Sequence, residues 1–333
     1  MPVRMKDIAE ALNVSVVTVS KAMRGHPDIG KETRERVLAY AKAQNYRPNL
    51  MARSLVTGRS SLVGLVVPDL IHPFFSEIAK SLSMALRRKN FFLVVASSNN
   101  DPQFEQAEIN HMLEHRLDAL VLATCQQGPE MLQGLSKEDL PLVLLDRSFP
   151  DFASNFVGAD DFKVGEMATK HLIQAGRKRI AHIRGPENSV GRNRLEGYRE
   201  TLKRHRIRVP ESYVVGTYDS TDSRECGEKA MEQLISLRDR PNAVFCFNDA
   251  LAMAAMVCAF KYHLRVPEDL AIIGCGNYHY NDALRIPLSS IDQRTEEIGT
   301  RTAKMIFSLL DANGPARPRR VILEPRLVAR ASS

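Results

Sequence analysis

Ser15, Val16, Val17, Thr18 and Lys21 place two hydroxyls, two apolar branches and one ammonium within a single short stretch. Carried on one helix, these groups suit one task. Hydroxyls donate to phosphate oxygens, valine methyls fit the methyl of thymine, and a lysine one turn on reaches guanine O6 or N7. A second constellation is His111-Met112-Leu113-Glu114-His115, an H-x-x-E-H spacing that matches an inverted zinc-hydrolase signature. Matches of five residues arise cheaply in a chain of 333, and no distal third ligand accompanies this one, so a solvated helix face is its plainer meaning. The five cysteines (Cys125, Cys226, Cys246, Cys258 and Cys275) have no CxxC spacing, which points to reduced, buried thiols rather than a metal site or a disulfide framework. No cofactor motif is evident, so none is expected.

The first constellation needs a helix, yet Val14 to Met23 is rich in β-branched residues and begins with strand-like alternation. Its surroundings decide the matter. Met5, Ile8, Ala9 and Leu12 recur at helical spacing, and Asn13 tolerates the left-handed backbone that ends a helix. Ser15 is suited to cap the next helix, in which Val19, Ala22 and Met23 face inward. Gly25-His26-Pro27 breaks it, and a third amphipathic stretch runs from about Lys31 to Gln44. Too few residues separate the first two segments for a strand crossover, and the arrangement reads as helix-turn-helix. Charge agrees: residues 1–59 hold 11 Lys/Arg against 5 Asp/Glu, while the rest hold 35 against 34. A basic head on a neutral body is built to meet a polyanion.

Asn49 to Leu55 follows Pro48 as a short helix, marginal alone, and Thr57 to Ser61 reads as a linker. Beyond it, apolar strand-like runs at 61–69, 91–97, 119–123, 142–146, 179–185, 243–249 and 270–276 alternate with amphipathic helices. That alternation predicts parallel sheets covered on both faces, in two lobes with a cleft at the strand C-termini. No apolar run approaches the ~20 residues that span a bilayer. The N-terminus carries charges where a signal peptide has its apolar stretch, so a cytoplasmic location, away from any membrane, is expected.

The segments MKDIAEALNVSVVTVSKAMRG and YRPNLMARSLVTGRSSLVGLVVPD, with HPFFSEI, LVLLDR, RLEGYRETL, NDALAMAAM, VPEDLAIIGCG and EPRLVAR, closely resemble the LacI/GalR transcription regulators. The resemblance implies an α/β chain with an N-terminal helix-turn-helix head (1–47), a hinge helix and linker (48–61), and two doubly wound, periplasmic-binding-protein-like lobes (62–333). Lobe one would take about 62–157 and 291–320, and lobe two about 158–290 and 321–333. It implies a repressor acting as a homodimer on pseudo-palindromic double-stranded operator DNA at the nucleoid, controlled by a small effector. Val16, Val17 and Lys21 match base-reading positions. Ser15, Thr18, Thr33 and Asn49 match phosphate or hinge positions, and Ala52 falls on the same DNA-facing hinge segment. Leu55 matches a leucine wedged into the minor groove, which kinks the duplex.

In the effector cleft, Phe74 and Phe75 offer stacking rings and Asp146 ends a lobe-one strand. Arg194, Tyr218, Asn248 and Asp249 match cleft positions of the second lobe, although Asp249 is equally suited to cap the helix that follows it. One departure stands out. Many relatives carry an aspartate two residues after the glycine of the IIG strand; here Gly276 holds that position, and Asn277 is the nearest polar side chain. With Arg184, Arg192 and Arg194 nearby, this predicts an anionic effector such as a sugar acid or phosphorylated metabolite. The rival readings are a solute-binding protein with no DNA role and a metal-dependent hydrolase. The basic head opposes the former and the missing distal ligand the latter.

Overall fold

The valine-rich segment is helical. In the computed structural model, which describes residues 3–46, 59–135, 140–216, 222–312, 314 and 317–333, α1 (Met5–Leu12), α2 (Val16–Met23) and α3 (Lys31–Ala43) form the head. Asn13 closes α1 at φ 52°, and the Ser15 hydroxyl caps α2 by accepting from the Thr18 N–H at 3.0 Å. Ile8, Ala9, Val19, Ala22, Val37 and Ala41 make the small core of this unit. Burial of Val19 and Ala22 against the neighbouring helices overrides the strand-like composition of α2.

The chain separates into two compact units, Met1–Ser60 and Ser61–Ser333. The second contains two six-stranded sheets with the same strand order. Lobe one holds β1 (Leu62–Val67), β2 (Phe92–Ser97), β3 (Ala119–Leu122), β4 (Leu142–Leu145), β5 (Asn155–Ala159) and β11 (Arg320–Leu323), in the order β2-β1-β3-β4-β5-β11, all parallel. Lobe two holds β6 (Ile180–Ile183), β7 (Val214–Val215), β8 (Ala243–Cys246), β9 (Ala271–Cys275), β10 (Ser289–Asp292) and β12 (Arg326–Val328). Its order is β7-β6-β8-β9-β10-β12, antiparallel only at β12.

Helices cover these sheets. In lobe one they are α4 (Pro73–Arg87), α5 (Pro102–Glu114), α6 (Glu130–Leu135) and the late-arriving α11 (Thr295–Leu310), which packs on α4. In lobe two, α7 (Asp161–Gln174) packs on α8 (Ser189–Arg204), and α9 (Ser223–Ser236) on α10 (Asp249–Lys261). The chain thus leaves lobe one after β5, returns after β10, and crosses once more between β11 and β12.

Sequence periodicity did not reveal β5, β7, β10, β11, β12 or α11. β10 shows why. It reads Ser-Ser-Ile-Asp, yet Ser289 and Ser290 are fully buried because their hydroxyls are bonded: Ser289 accepts from the Arg330 N–H at 2.8 Å and Ser290 donates to Asp249 at 2.7 Å. Buried polar groups are tolerated when satisfied, and such a strand carries no apolar signature. α8 begins at Ser189. Asn188 caps it, accepting from the Gly191 N–H at 3.0 Å, so Arg194 lies inside the helix rather than at its start.

Candidate functional site

On the head, Val16 and Val17 stand 43% and 63% exposed at the N-terminus of α2, while Val19 and Ala22 are buried. Apolar side chains left in water at a helix start, with no packing to explain them, form a surface made to be covered. Lys21 lies one turn on and is the only basic residue of α2. The hydroxyls of Ser15 and Thr18 lie 2.8 Å apart, and Ser15 also caps the helix. One hydroxyl therefore donates to the other, and a single proton of the two remains for an outside acceptor such as a phosphate oxygen. Thr33 is half-buried in the first turn of α3. Asn49, Ala52 and Leu55 lie outside the described residues.

In the second unit, a cavity of about 520 Å³ opens where the C-terminal ends of both sheets meet. Each sheet reverses strand order between its first and third strands, β1/β3 and β6/β8, and loops leaving those strands supply the walls. Ligands bind at such switch points in doubly wound sheets. Lobe one contributes His72, Phe74, Phe75, Cys125, Asp146 and Arg147; lobe two contributes Ser189, Arg192, Arg194, Phe247, Asn248 and Cys275.

Five of the residues expected in the cleft converge there: Phe74, Phe75, Asp146, Arg194 and Asn248. Phe74 and Phe75 pack edge to face with centroids 5.1 Å apart, largely inside the lobe-one core. Asp146 sits in the left-handed region at φ 63°, nine-tenths buried, a strained placement of the kind found at functional sites. Burial raises its pKa, against the pull of Arg147 and Arg194. Among the described residues its carboxylate makes no hydrogen bond.

Arg194 is buried and already engaged. It donates to Asp161 at 2.9 Å and to the Phe247 carbonyl at 2.6 Å, with its guanidinium 4.5 Å from the Phe247 ring centroid. Burial disfavours its charge, but the surrounding acidic groups hold its pKa above the ordinary value. Asn248, rather than Asp249, caps α10, accepting from the Leu251 N–H at 2.9 Å.

Two residues do not reach the cavity. Asp249 is fully buried behind it, accepting from the Tyr278 N–H, the Asn281 amide and the Ser290 hydroxyl at 3.1, 2.8 and 2.7 Å. It braces the β9 and β10 loops. Gly274 permits this, because a Cβ there would lie 2.2 Å from an Asp249 oxygen. Asn277 turns to Arg330, from which it accepts at 2.8 Å, and away from the cavity. Tyr218 lies outside the described residues. Arg184 pairs with Glu187 and is not among the cavity walls, whereas Arg192 is.

The glycine at 276 has a physical reason. Gly276 has φ 132°, which side chains rarely adopt, and a Cβ there would lie 2.5 Å from the Tyr278 ring. Tyr278 takes the space instead, and its hydroxyl lies 3.0 Å from His72 Nε2 across the lobes. The Asn248 amide nitrogen approaches the same atom at 3.3 Å. Because the Asn248 oxygen is held by its capping bond, its NH2 must face the histidine. Nε2 therefore accepts, and the proton rides on Nδ1. Burial lowers the His72 pKa to about 4, so the ring is neutral. The lobes also meet where the Ser148 N–H donates to the Ser189 hydroxyl at 3.1 Å. Sequence reasoning passed over His72, Arg147 and Tyr278, although His72 lies in the quoted HPFF segment and Arg147 directly follows Asp146.

His111 stands on α5 and His115 is the residue that ends it, both away from the cavity walls, with His111 Nδ1 3.8 Å from Glu114. Among the described residues no group of three or more His, Cys, Asp or Glu is placed to hold a metal ion. No helix among them is long and apolar enough to cross a membrane.

A trihelical head with a bare, polar-edged helix face and a two-lobed body with an interlobe cavity define a ligand-controlled DNA-binding protein. Residues 4–49 match the model described as bacterial regulatory proteins, lacI family, and residues 169–333 the periplasmic binding protein-like domain. The HTH-type transcriptional repressor PurR of Klebsiella pneumoniae (strain 342) is 31% identical over 334 residues, covering 98% of this chain and 96% of the relative. The HTH-type transcriptional regulator DegA of Bacillus subtilis (strain 168) is 29% identical over 337 residues, covering 100% and 98%. The structure of the transcriptional regulator CelR with cellobiose superposes with a TM-score of 0.75 at 27% identity, over 99% of this chain and 100% of that one. The lac repressor dimer bound to operator and the anti-inducer ONPF gives 0.88 at 23% identity over 100% and 99%, a likeness of fold. The chain belongs to the LacI family of bacterial regulatory proteins, and it is a DNA-binding transcription regulator with an effector-binding domain.

Proposed function

We propose that this protein is a homodimeric repressor of the cytoplasm and nucleoid, without catalytic activity, that binds a pseudo-palindromic operator and answers to a small polar metabolite. The observation that carries this reading is the pairing of an exposed Val16-Val17-Lys21 face with an interlobe cavity at two switch points. The division into a head at 1–47, a hinge and linker at 48–61 and a body at 62–333 follows from it. Ser15, Thr18, Thr33 and Asn49 serve the phosphates or hinge, Val16, Val17 and Lys21 the bases, and Ala52 and Leu55 the hinge contact with the minor groove.

A second copy of the chain is the occupant we assign to the edge of the lobe-one sheet. Phe92, Val94 and Val95 of edge strand β2 stand exposed where a doubly wound sheet is ordinarily covered. Effector binding shifts the lobe angle, and with it the spacing of the two hinge segments. Its effect is limited to its differential affinity for the two lobe arrangements.

The effector class follows from what the walls leave unused. Arg194 is spent on Asp161, but Arg147 and Arg192 line the cavity and form no ion pair among the described residues. Asp146 awaits a donor. A sugar acid supplies both a carboxylate for the guanidinium groups and hydroxyls for Asp146. Thermal-shift measurements on a panel of sugar acids, sugar phosphates and neutral sugars test this. Stabilisation by the anionic members supports it, and stabilisation by neutral sugars alone overturns it. A chain beginning at Ser61 is expected to keep ligand binding and lose operator binding; retained operator binding would overturn the domain assignment.

A further inference from the structure

The one ammonium on α2 is not free. Lys21 Nζ donates to Asp28 at 3.0 Å, and His26 Nδ1 lies 3.3 Å from the same oxygen. Asp28 does not drift on a loose loop. Arg34 donates to the carbonyls of Gly25 and His26 at 3.2 and 3.0 Å, the His26 N–H returns to the Lys21 carbonyl at 3.0 Å, and the Ile29 N–H bonds to the His26 carbonyl at 3.2 Å. The loop is thus strapped to the C-terminal end of α2 and to α3, and it carries its carboxylate to the recognition face. The Lys21 hydrogen bond, with help from His26, also holds the Asp28 carboxyl below the ordinary aspartate range, so it is ionised wherever the protein works.

A carboxylate beside a DNA-binding face costs affinity for any duplex, because it repels phosphate. Its gain lies elsewhere. An unpaired lysine is an indiscriminate phosphate binder and strengthens binding to every sequence alike. A lysine already paired leaves its partner only for an acceptor set that compensates the lost bond, and guanine O6 with N7 is such a set. We infer that Asp28 is a specificity-determining residue of the head, holding Lys21 away from the phosphates of non-operator DNA and releasing it to a base edge in the operator. This rests on the DNA-binding reading of α2 and adds a partner that penalises the wrong duplex.

The test uses the full-length protein, the duplex it enriches from a random-sequence pool, and a scrambled duplex of equal composition. Asp28→Asn keeps shape and removes charge. It is expected to tighten binding to the scrambled duplex about fivefold, the upper range for an exposed pair, and operator binding by less, so the specificity ratio falls. The slope of log K against log salt on scrambled DNA is expected to steepen by about one per head, as Lys21 joins a phosphate. In a Lys21→Ala background the same change is expected to leave the ratio unmoved. Equal tightening on both duplexes, an unchanged salt slope, or a shift that survives without Lys21 would each overturn the inference. Asp28→Ala serves as a second variant, and matching thermal unfolding of the head shows that neither acts by unfolding it. Failure of the wild type to enrich any duplex would instead remove the DNA-binding reading itself.

Discussion

The two functional regions of this protein are built in opposite ways. The head's recognition face comes from one eight-residue helix, with its neighbours in space also its neighbours in sequence. The cavity draws on loops after strands of both sheets, from Pro68 to Gln293. In the head, exposed groups act and buried ones only hold the helix. At the cavity, several polar groups are themselves buried and held by partners: Arg194 by Asp161, His72 Nε2 by Tyr278 and Asn248, and, behind the wall, Asp249 by three donors. A surface site tolerates substitution with little cost in stability, whereas a buried polar site couples function to folding.

The sharpest way to break this contrast is Arg194→Ala. It strands the buried Asp161 carboxylate and is expected to destabilise the body by about 3–5 kcal/mol, with the head unaffected. Urea unfolding followed by amide exchange in each unit measures this, and simultaneous loss of head and body protection would contradict their independence.

The next effect is on pH. His72 has its pKa lowered from 6.5 to about 4 by burial, so the unfolded chain binds a proton that the folded chain refuses between those values. Stability of the body is therefore full above pH 6.5 and declines as pH falls toward 4, by on the order of 3 kcal/mol from this group. His182, also buried and lowered to about 3, adds to the decline. Denaturation midpoints at pH 7.5 and 5 are expected to diverge less in His72→Gln.

On the head, Lys21→Ala is expected to relax preference at one base pair per half-site, at about 1–3 kcal/mol, with the body's unfolding unchanged. Competition binding against single-position operator variants checks it. Smallest is Ser15→Ala, which removes the cap of α2 and is expected to cost about 1 kcal/mol of head stability. Melting of the isolated head reads that loss directly.

Legibility follows the same divide. Asn13, Ser15 and the Val19-Ala22 spacing announce α2 because capping and helical burial are local. Six of the seven runs picked from apolar content end within a residue or two of an observed strand at both ends, since a parallel strand buried on both faces needs nearly continuous apolar residues; only the run at 243–249 overshoots β8 further. The strands missed are those whose burial rests on polar partners or on a late return of the chain, such as Ser289–Asp292 and Arg320–Leu323. In the cavity, Phe74, Phe75 and Asp146 were in reach of the sequence because they follow a strand end, and Arg194 and Asn248 through the family resemblance. Asp249 and Asn277 misled because adjacency in sequence does not say which way a side chain turns.

Sequence alone determined the helical head, its charge, the alternating body and the family, because propensity, capping, periodicity and charge act over a few residues. Tertiary structure alone decided that Tyr278 packs against Gly276, that Arg194 is consumed by Asp161, and that Asp28 holds Lys21. Those are questions of direction and pairing across distant segments, and only packed space answers them.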